Sequence, residues 1–259
     1  MRILLIGDII GRPGRRAVTE LLPHIRKEQD IDFVVANGEN AAGGIGLTPD
    51  TAEELFKAGV NVITSGNHIW HHRSVLPYLD KEPRVLRPYN MPPGVPGHGY
   101  LVLNNVMVIN VLGRVFVGHY DCPFRGIDHL LEEIPDRPPI ILVDLHAEAT
   151  AEKIALGWYL DGRVSVVVGT HTHVGTVDTR ILPRGTAYVT DIGMVGPVDS
   201  VIGDNIDSVL DRFLTMMPHR LSVGKGRVIF NSVVIEVEEK SGQALSISRL
   251  DLEYDPSEG

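Results

Sequence analysis

Strand-like apolar runs alternate with helical segments along the first quarter of the chain. The runs occupy residues 3–7, 32–36 and 60–64. Helices are predicted between them, over residues 15–28 and 48–58. The second helix has Thr48 as its N-cap and Pro49 in its first turn, and Gly59 ends it. This β–α–β–α–β order predicts parallel strands joined by crossover helices.

The remainder of the chain adds a hairpin, another strand–helix–strand unit and a C-terminal pair of strands. A loop over residues 88–99 precedes the hairpin, whose strands at 100–102 and 106–111 flank Asn104 and Asn105. The other predicted elements are a loop with a short helix at 123–139, strands at 140–144 and 164–168, helices at 150–160 and 208–217, and strands at 228–237 and 245–254 joined at 241–242. No segment resembles a linker, so residues 1–259 are predicted to form a single domain.

Composition limits the classes of function. Hydrophobic residues make up 43% of the chain and charged residues 22%, as in ordinary globular proteins, and the net charge of −9 argues against general binding of duplex nucleic acid. Cys122 is the only cysteine, so neither an internal disulfide nor a thiolate metal cluster is expected. No apolar run has the length of a membrane helix, and the N-terminus lacks a cleavage signal. We therefore expect a cytoplasmic protein without a membrane partner.

Metal-binding side chains follow five of the predicted strands. In open α/β sheets, ligands bind at the carboxyl ends of the strands, and parallel strands bring these ends to one edge. Each residue alone is open to a structural explanation, such as a cap or a turn. Five such endings together are hard to explain by packing. The candidates are Asp8, Glu39, Asn40, Asn67, His68, His146, His171 and His173.

The donor types predict divalent metal ions. Carboxylate, imidazole and amide oxygen suit Fe or Mn, with Zn and Ni as alternatives. His171 and His173 lie two residues apart and would project to the same side of an extended backbone, roughly 6–7 Å apart. That spacing suits two metals about 3.5–4 Å apart, as in two-metal hydrolases, and Glu39 or Asp8 is the candidate bridging carboxylate.

The order of these motifs resembles that of the calcineurin-like metallophosphoesterases. The elements are Asp8, G-E-N at 38–40, G-N-H at 66–68, His146 and G-T-H-T-H at 169–173. The similarity extends from residue 1 to about residue 200, and it is greatest to the YmdB-like bacterial branch, particularly over D-L-H-A-E-A-T at 144–150. The resemblance implies an αββα sandwich, an α/β fold in which two mixed sheets pack between helical layers.

The same resemblance implies a ligand set and an activity. One metal would be held by Asp8, Glu39, Asn40 and His173, and the other by Glu39, Asn67, His146 and His171. His68 would stabilise or protonate the leaving oxygen while a metal-bridging hydroxide attacks. The implied enzyme is a phosphodiesterase acting on small phosphate esters such as 2′,3′-cyclic AMP, and self-association is expected by analogy.

Two positions depart from the general superfamily pattern. Ile10 stands where the first motif usually has histidine, and Glu39–Asn40 stands where the second usually has aspartate. Asn40 would supply the ligand that Ile10 cannot. In the YmdB-like branch this arrangement is the expected one.

Two other functions remain as alternatives. The first is dinucleotide binding by a Rossmann-type domain, because Gly7, Gly11 and Gly14 follow the first strand. Their spacing differs from the dinucleotide-binding fingerprint, however, and Asp8 would repel a pyrophosphate. The second alternative is a regulatory, nucleotide-sensing protein that keeps the metals with little turnover. The sequence leaves open the roles of His71, His72 and the segment from Asp191 to Met194.

Overall fold

The structure, a computed structural model, describes residues 1–257. Its strands are β1 (Arg2–Ile6), β2 (Asp8–Ile9), β3 (Phe33–Asn37), β4 (Val62–Thr64), β5 (Tyr100–Leu103), β6 (Val106–Leu112), β7 (Ile140–His146), β8 (Val166–Thr170), β9 (Arg180–Ile181), β10 (Ala187–Val189), β11 (Met194–Pro197), β12 (Val228–Phe230), β13 (Ser232–Val237), β14 (Ala244–Arg249) and β15 (Leu252–Tyr254). Its α-helices are α1 (Gly11–Glu28), α2 (Pro49–Ala58), α3 (Leu76–Leu79), α4 (Pro123–Glu133), α5 (Thr150–Leu160) and α6 (Ile206–Thr215).

Two mixed sheets form the centre of the molecule. The first has the order β14-β13-β1-β3-β4, and the second has the order β5-β6-β7-β8-β10-β9. In the first sheet β1, β3 and β4 are parallel. In the second, β6, β7, β8 and β10 are parallel, while β5 and β9 run antiparallel at the edges. The predicted crossover units therefore supply the parallel core of each sheet.

The apolar side chains divide into three layers of core. Alternate residues of both sheets, such as Leu5 and Phe33 from the first and Val108 and Val168 from the second, pack together between them. The outer face of the first sheet packs against α1 and α2, and that of the second against α4 and α5. The αββα sandwich implied by the motifs is thus the observed fold. No helix within residues 1–257 combines the length and the hydropathy needed to cross a bilayer.

A third, smaller sheet sets the position of Asp8. Its order is β15-β12-β11-β2. The chain leaves the first sheet at Gly7, and the Asp8 N–H donates to Gly193 O at 3.0 Å. A Cβ at Gly7 would lie 2.0 Å from that same oxygen, so only glycine permits the crossing. Asp8 therefore begins a separate strand, rather than ending the first strand as the sequence predicted.

Helix α1 begins four residues earlier than predicted. Gly11, Pro13 and Gly14, which precede the predicted helix, make up the first turn of α1. Proline is compatible with that position because the first N–H groups of a helix have no partner within it. A Cβ at Gly14 would lie 2.3 Å from Val195 O, so the glycine allows α1 to pack closely on β11.

The predicted signals of α2 and of the hairpin are confirmed. Thr48 caps α2 in a capping box, and Gly59 ends it in the left-handed conformation, with φ of 112°. Asn104 and Asn105 turn the β5–β6 hairpin with φ of 51° and 62°. The short helix expected within 123–139 is α4, which spans eleven residues.

The C-terminal prediction of two long strands is wrong. Each is split between two sheets, giving β12 with β13 and β14 with β15. At the first break, Asn231 Oδ1 accepts from Met194 N at 3.3 Å and Asn231 Nδ2 donates to Asp251 at 2.9 Å. The Asn231 N–H donates to Met194 O and its carbonyl accepts from the Gly7 N–H, so the chain passes between the sheets at this residue, and an alternating pattern does not reveal such a break. Strands β9, β10 and β11 were not predicted.

A buried ion pair joins α5 to the loop that follows β10. Lys153 Nζ lies 2.6 Å from Asp191 Oδ2, and each side chain is 1% exposed. Because Asp191 also accepts from the Thr172 N–H and hydroxyl, this pair connects a helix to the turn that carries His171 and His173.

We expect Lys153→Met to lower the free energy of unfolding by about 3–5 kcal/mol, since it leaves the Asp191 carboxylate buried without its cation. Urea denaturation measures this change. Lys57→Met is the matched control because Lys57 is exposed on α2, and its effect should stay within about 0.5 kcal/mol. Equal stability of both variants would show that the buried pair does not hold this loop.

Candidate metal centre

All eight candidate residues come together at one cleft. They lie at or just beyond the carboxyl ends of β3 and β4 in the first sheet and β7 and β8 in the second, with Asp8 supplied by β2. The cleft has a volume of about 640 Å³ and is lined by Glu39, Asn40, His68, His171 and His173 among others. The predicted convergence of strand ends therefore holds, although the ends belong to two facing sheets.

Two fully buried carboxylates form the centre of the cluster. Asp8 and Glu39 are both 0% exposed. Glu39 Oε1 lies 2.9 Å from His146 Nε2, and Asp8 Oδ1 lies 3.6 Å from His173 Nε2. Backbone donors reach the opposite oxygens, from His171 N to Asp8 Oδ2 at 3.1 Å and from His68 N to Glu39 Oε2 at 3.1 Å. Each carboxylate thus has one oxygen held by the backbone and the other directed toward imidazoles.

Histidines keep both carboxylates ionised. Burial raises the pKa of Asp8, but the nearby His173 and His146 outweigh it and hold this pKa below its usual range. Burial acts in the same direction on Glu39, and His146 likewise brings its pKa below the ordinary value. The pKa of His173 is lowered by burial, but Asp8 more than compensates and raises it to about 9. Burial, followed by the charge of His146, lowers the pKa of His171 to about 4.

The side chains form two contact groups that share Glu39. In the first, Asn40 Nδ2 lies 3.3 Å from Glu39 Oε1 and 3.2 Å from His173 Nε2, which faces Asp8. In the second, His146 Nε2 lies 2.9 Å from Glu39 Oε1 and 3.0 Å from His171 Nδ1. One oxygen of Glu39 is therefore close to both groups. Asp8 Oδ1 is further from the second group, at 3.9 Å from His146 Nδ1.

His146, His171 and His173 each have one ring nitrogen in contact with an oxygen atom of the protein. Such partners orient an imidazole ring and fix which nitrogen is free to bind a metal. The contacts are His146 Nδ1 to Thr170 Oγ1 at 2.9 Å, His171 Nε2 to Glu148 Oε2 at 3.1 Å, and His173 Nδ1 to Ile202 O at 2.7 Å.

The turn that carries His171 and His173 is not extended, so the predicted strand geometry is wrong, although both side chains line the cleft. Both residues have left-handed backbones, with φ of 97° and 63°. Non-glycine residues seldom adopt this conformation, and it persists where the surroundings impose it. Here Asp191 accepts from the Thr172 N–H at 3.2 Å and from its hydroxyl at 2.7 Å. Asp191 is 1% exposed and is not among the residues that line the cleft, so its role here is to brace this turn.

A buried polar network beneath the cluster joins the two sheets. Asn37 Nδ2 donates to Asp144 Oδ2 at 3.3 Å, and Thr170 Oγ1 donates to Asp144 Oδ1 at 2.7 Å. Thr64 Oγ1 also donates to Asp144. Asn37 Oδ1 accepts from Glu39 N at 3.1 Å, and this hydrogen bond fixes the start of the loop that follows β3. Burial raises the pKa of Asp144 to about 6, despite these hydrogen bonds. Polar residues at strand ends were the one sequence signal that pointed to this network.

The donor set fits a divalent cation. Donor atoms of Glu39, His146 and His171 lie within 4.8 Å of one another. Asp8 Oδ1 and Asn67 Oδ1 are buried without a hydrogen-bond partner. Such acceptors are costly unless a cation or a donor satisfies them. Oxygen and nitrogen donors without thiolate suit the borderline-hard divalent ions.

His68 and Gly66 flank Asn67 on the loop after β4. His68 Nε2 lies 3.3 Å from Asn67 Nδ2, and the His68 ring lines the cleft. A Cβ at Gly66 would lie 2.2 Å from His146 Cδ2 and 2.3 Å from Glu39 Oε2. The glycine of the G-N-H element thus leaves room for the cluster.

The residues whose roles the sequence left open now have positions. His71 lines the cleft, whereas His72 Nε2 contacts Ile45 O at 3.0 Å and supports the glycine loop at 43–46. Sequence reasoning missed the rim of the cleft because most of its members belong to no motif; Glu148 lies within the D-L-H-A-E-A-T element but was not singled out. These rim residues are Glu148, Ile202, Asp204, Arg212, Arg220 and Leu221.

The fold and the site define a metallophosphoesterase-type protein. Residues 4–250 match the sequence model of the family described as YmdB-like protein. The chain belongs to this family. It is 46% identical over 254 residues to the 2′,3′-cyclic-nucleotide 2′-phosphodiesterase of Bacillus subtilis, an alignment that covers 96% of each chain.

Two solved structures have the same fold along nearly the whole chain. A hypothetical protein from Thermus thermophilus is 44% identical, with a TM-score of 0.92, and the match covers 99% of this chain and 100% of that one. A novel phosphatase from Mycoplasma pneumoniae is 32% identical, also with a TM-score of 0.92, and the match covers 99% of this chain and 95% of that one.

We expect Gly66→Ala to weaken metal binding at least tenfold, because the added methyl group must displace His146 or Glu39. Isothermal titration calorimetry with Mn²⁺ measures the affinity. Gly126→Ala in α4 is the control, since its Cβ would make an ordinary contact of 3.6 Å with Tyr89. Unchanged affinity in the Gly66 variant would contradict the assignment of the cluster as the metal site.

Proposed function

We propose that the protein is a dinuclear-metal phosphodiesterase that hydrolyses 2′,3′-cyclic nucleotides. The observation that carries this proposal is the convergence of Asp8, Glu39 and three histidines at one cleft. The relative from Bacillus subtilis, named as a 2′,3′-cyclic-nucleotide 2′-phosphodiesterase, supports this choice of substrate.

The two contact groups around Glu39 correspond to two ligand sets. Asp8, Asn40 and His173 would hold one ion together with Glu39. Asn67, His146 and His171 would hold the other, again with Glu39. We propose Fe or Mn as the native ions, with Zn and Ni as alternatives. Protons on His146 and His173 would compete with these ions for the same nitrogen atoms, so metal affinity should fall on acidification.

The reaction opens the five-membered phosphate ring. Bound divalent ions would supply a water-derived nucleophile at neutral pH and neutralise charge on the phosphate oxygens. The new P–O bond forms with the oxygen of water, and the P–O2′ bond breaks. His68 donates a proton to the departing O2′, and the product is a nucleoside 3′-phosphate. The Asp191 brace and the backbone donors to Asp8 and Glu39 hold the ligands in place, so little rearrangement accompanies the reaction.

An apolar recess beside the cleft suits the nucleobase. It has a volume of about 550 Å³, and Ile202, Arg212 and Leu221 line both it and the metal cleft. Ile202 is 51% exposed and has a left-handed backbone with φ of 48°, an unusual conformation for a β-branched residue. Phe213, which is 71% exposed, forms part of the wall. A base stacked in this recess would cover these apolar groups.

The wider setting of the enzyme is also proposed. Residues 1–259 would act as one metallophosphoesterase domain, which the match over residues 4–250 supports. Self-association and a cytoplasmic location stay predictions from the sequence, as does the lack of binding to duplex nucleic acid.

Loaded with Mn²⁺ or Fe²⁺, the protein should hydrolyse 2′,3′-cyclic AMP to 3′-AMP. His68→Ala should lower kcat by roughly 10²–10⁴-fold, the usual effect of losing a general acid, with its metal content unchanged. His24→Ala, on the exposed side of α1, is the control and should retain full kcat. A loaded wild-type protein that turns over no phosphodiester would refute the enzyme and favour the nucleotide-sensing alternative.

Phe213→Ala should lower kcat/KM for 2′,3′-cyclic AMP about tenfold, since base–aromatic stacking contributes roughly 1–3 kcal/mol per base. The same variant should leave kcat/KM unchanged for 1-O-methylribose 2′,3′-cyclic phosphate, which has no base. Steady-state kinetics with both substrates makes the comparison. Equal losses on the two substrates would show that Phe213 supports the fold of α6 and not the base.

A further inference from the structure

A second cleft adjoins the metal cleft, and Leu221 lines both of these as well as the apolar recess. It has a volume of about 500 Å³ and lies between the first turn of α1 and the segment 220–225. Gly43, Arg220 and Leu221 line both clefts, so the two lie side by side. A ligand with its reacting phosphate at the metal centre can therefore extend into the second cleft.

The second cleft is positively charged in a chain whose net charge is −9. Arg12, Arg220 and Lys225 line it, and all three are exposed. Within residues 1–257, none of these side chains forms an ion pair. No carboxylate of the described part of the chain lines the cleft either. Five other arginines within residues 1–257 pair with acids, as Arg15 does with Glu54 at 2.6 Å.

Three neighbouring cations without a counter-charge repel one another and attract an anion. Arginine is suited to bind phosphate through two hydrogen bonds at once, and lysine binds it as a point charge. Ser222 lines the same cleft, and its hydroxyl is a further donor type that suits phosphate. The chemistry of the lining therefore matches a phosphate group better than a cationic or apolar ligand.

We propose that this basic cleft binds the phosphate on the 5′ side of a terminal 2′,3′-cyclic nucleotide. The substrate class then extends from free cyclic mononucleotides to short single-stranded RNA ends that carry a 2′,3′-cyclic phosphate. This inference rests on the proposed function of the metal centre. The reaction is the same hydrolysis: water adds to phosphorus, the P–O2′ bond breaks, and O2′ receives the proton from His68, leaving a 3′-phosphate end.

The size of the charged area limits the length of chain that is recognised. Three cations correspond to one or two phosphates, whereas a long backbone needs a basic track along its path. The acidic remainder of the protein repels a long polyanion. The affinity of the protein for a cyclic-phosphate end should therefore rise when one nucleotide is added on the 5′ side and should rise little with further nucleotides.

The test compares kcat/KM for adenosine 2′,3′-cyclic phosphate with that for the dinucleotide ApA ending in a 2′,3′-cyclic phosphate, using the metal-loaded full chain. Wild type should prefer the dinucleotide by roughly tenfold or more at low salt, in keeping with charge-assisted hydrogen bonds to phosphate. Arg12→Ala combined with Lys225→Ala should remove this preference. It should change kcat/KM for the mononucleotide less than about twofold, because Arg12 and Lys225 line only the second cleft.

A matched control removes the same net charge elsewhere. Lys27 on α1 and Lys57 on α2 are exposed and line neither cleft, so Lys27→Ala with Lys57→Ala should keep the wild-type preference. Equal kcat/KM for the two substrates in wild type would overturn the proposal while leaving the cyclic phosphodiesterase intact. The proposal would also be overturned if the Lys27→Ala, Lys57→Ala control lost the preference for the dinucleotide as fully as the Arg12→Ala, Lys225→Ala variant. Failure to hydrolyse either substrate would instead overturn the proposed function itself.

Discussion

The structure depends on the burial of two carboxylates at one point between the sheets. Asp8 and Glu39 are fully buried, and isolated charges in such surroundings are strongly disfavoured. Imidazoles from the second sheet compensate them, with His146 at the end of β7 close to Glu39 and His173 in the turn after β8 close to Asp8. This requirement explains why ligands from β2, β3, β7 and β8 must meet. It also explains why the cluster is suited to cations, since a bound cation offsets the same negative charge.

The surrounding architecture serves this point. The network through Asn37 and Asp144 joins the strand ends of both sheets, and Asp191 braces the left-handed turn of His171 and His173. Lys153 in turn compensates Asp191 from the outer helical layer. The histidines thus compensate the buried carboxylates, Asp191 holds the turn that carries two of these histidines, and Lys153 compensates the charge of Asp191. The binding surfaces are less regular: much of the rim, including Arg220 and Ile202, lies on irregular segments, as is usual for parts that contact a ligand.

Much of this arrangement could be predicted from the sequence where a short local signal existed. The N-cap at Thr48 and the stop at Gly59 defined α2, and polar residues after apolar runs identified the strand ends. Prediction failed where long-range contacts decide. The first turn of α1 includes Gly14, where a Cβ would clash with Val195 O, and the strand changes sheets at Asn231 with hydrogen bonds from its backbone and side chain to distant residues. The extended backbone expected at His171 failed for the same reason, since the Asp191 that imposes the turn lies twenty residues further along the chain.

We propose that Glu39 is shared by two cation sites. Elemental analysis of the purified protein, after loading with Mn²⁺ and removal of free metal, tests it most directly. We predict about two ions per chain in wild type and the loss of both in Glu39→Ala, because this side chain belongs to both contact groups. His146→Ala should lose one ion and keep the other. A wild-type protein that retains no metal, or a Glu39 variant that still holds two ions, would contradict this claim.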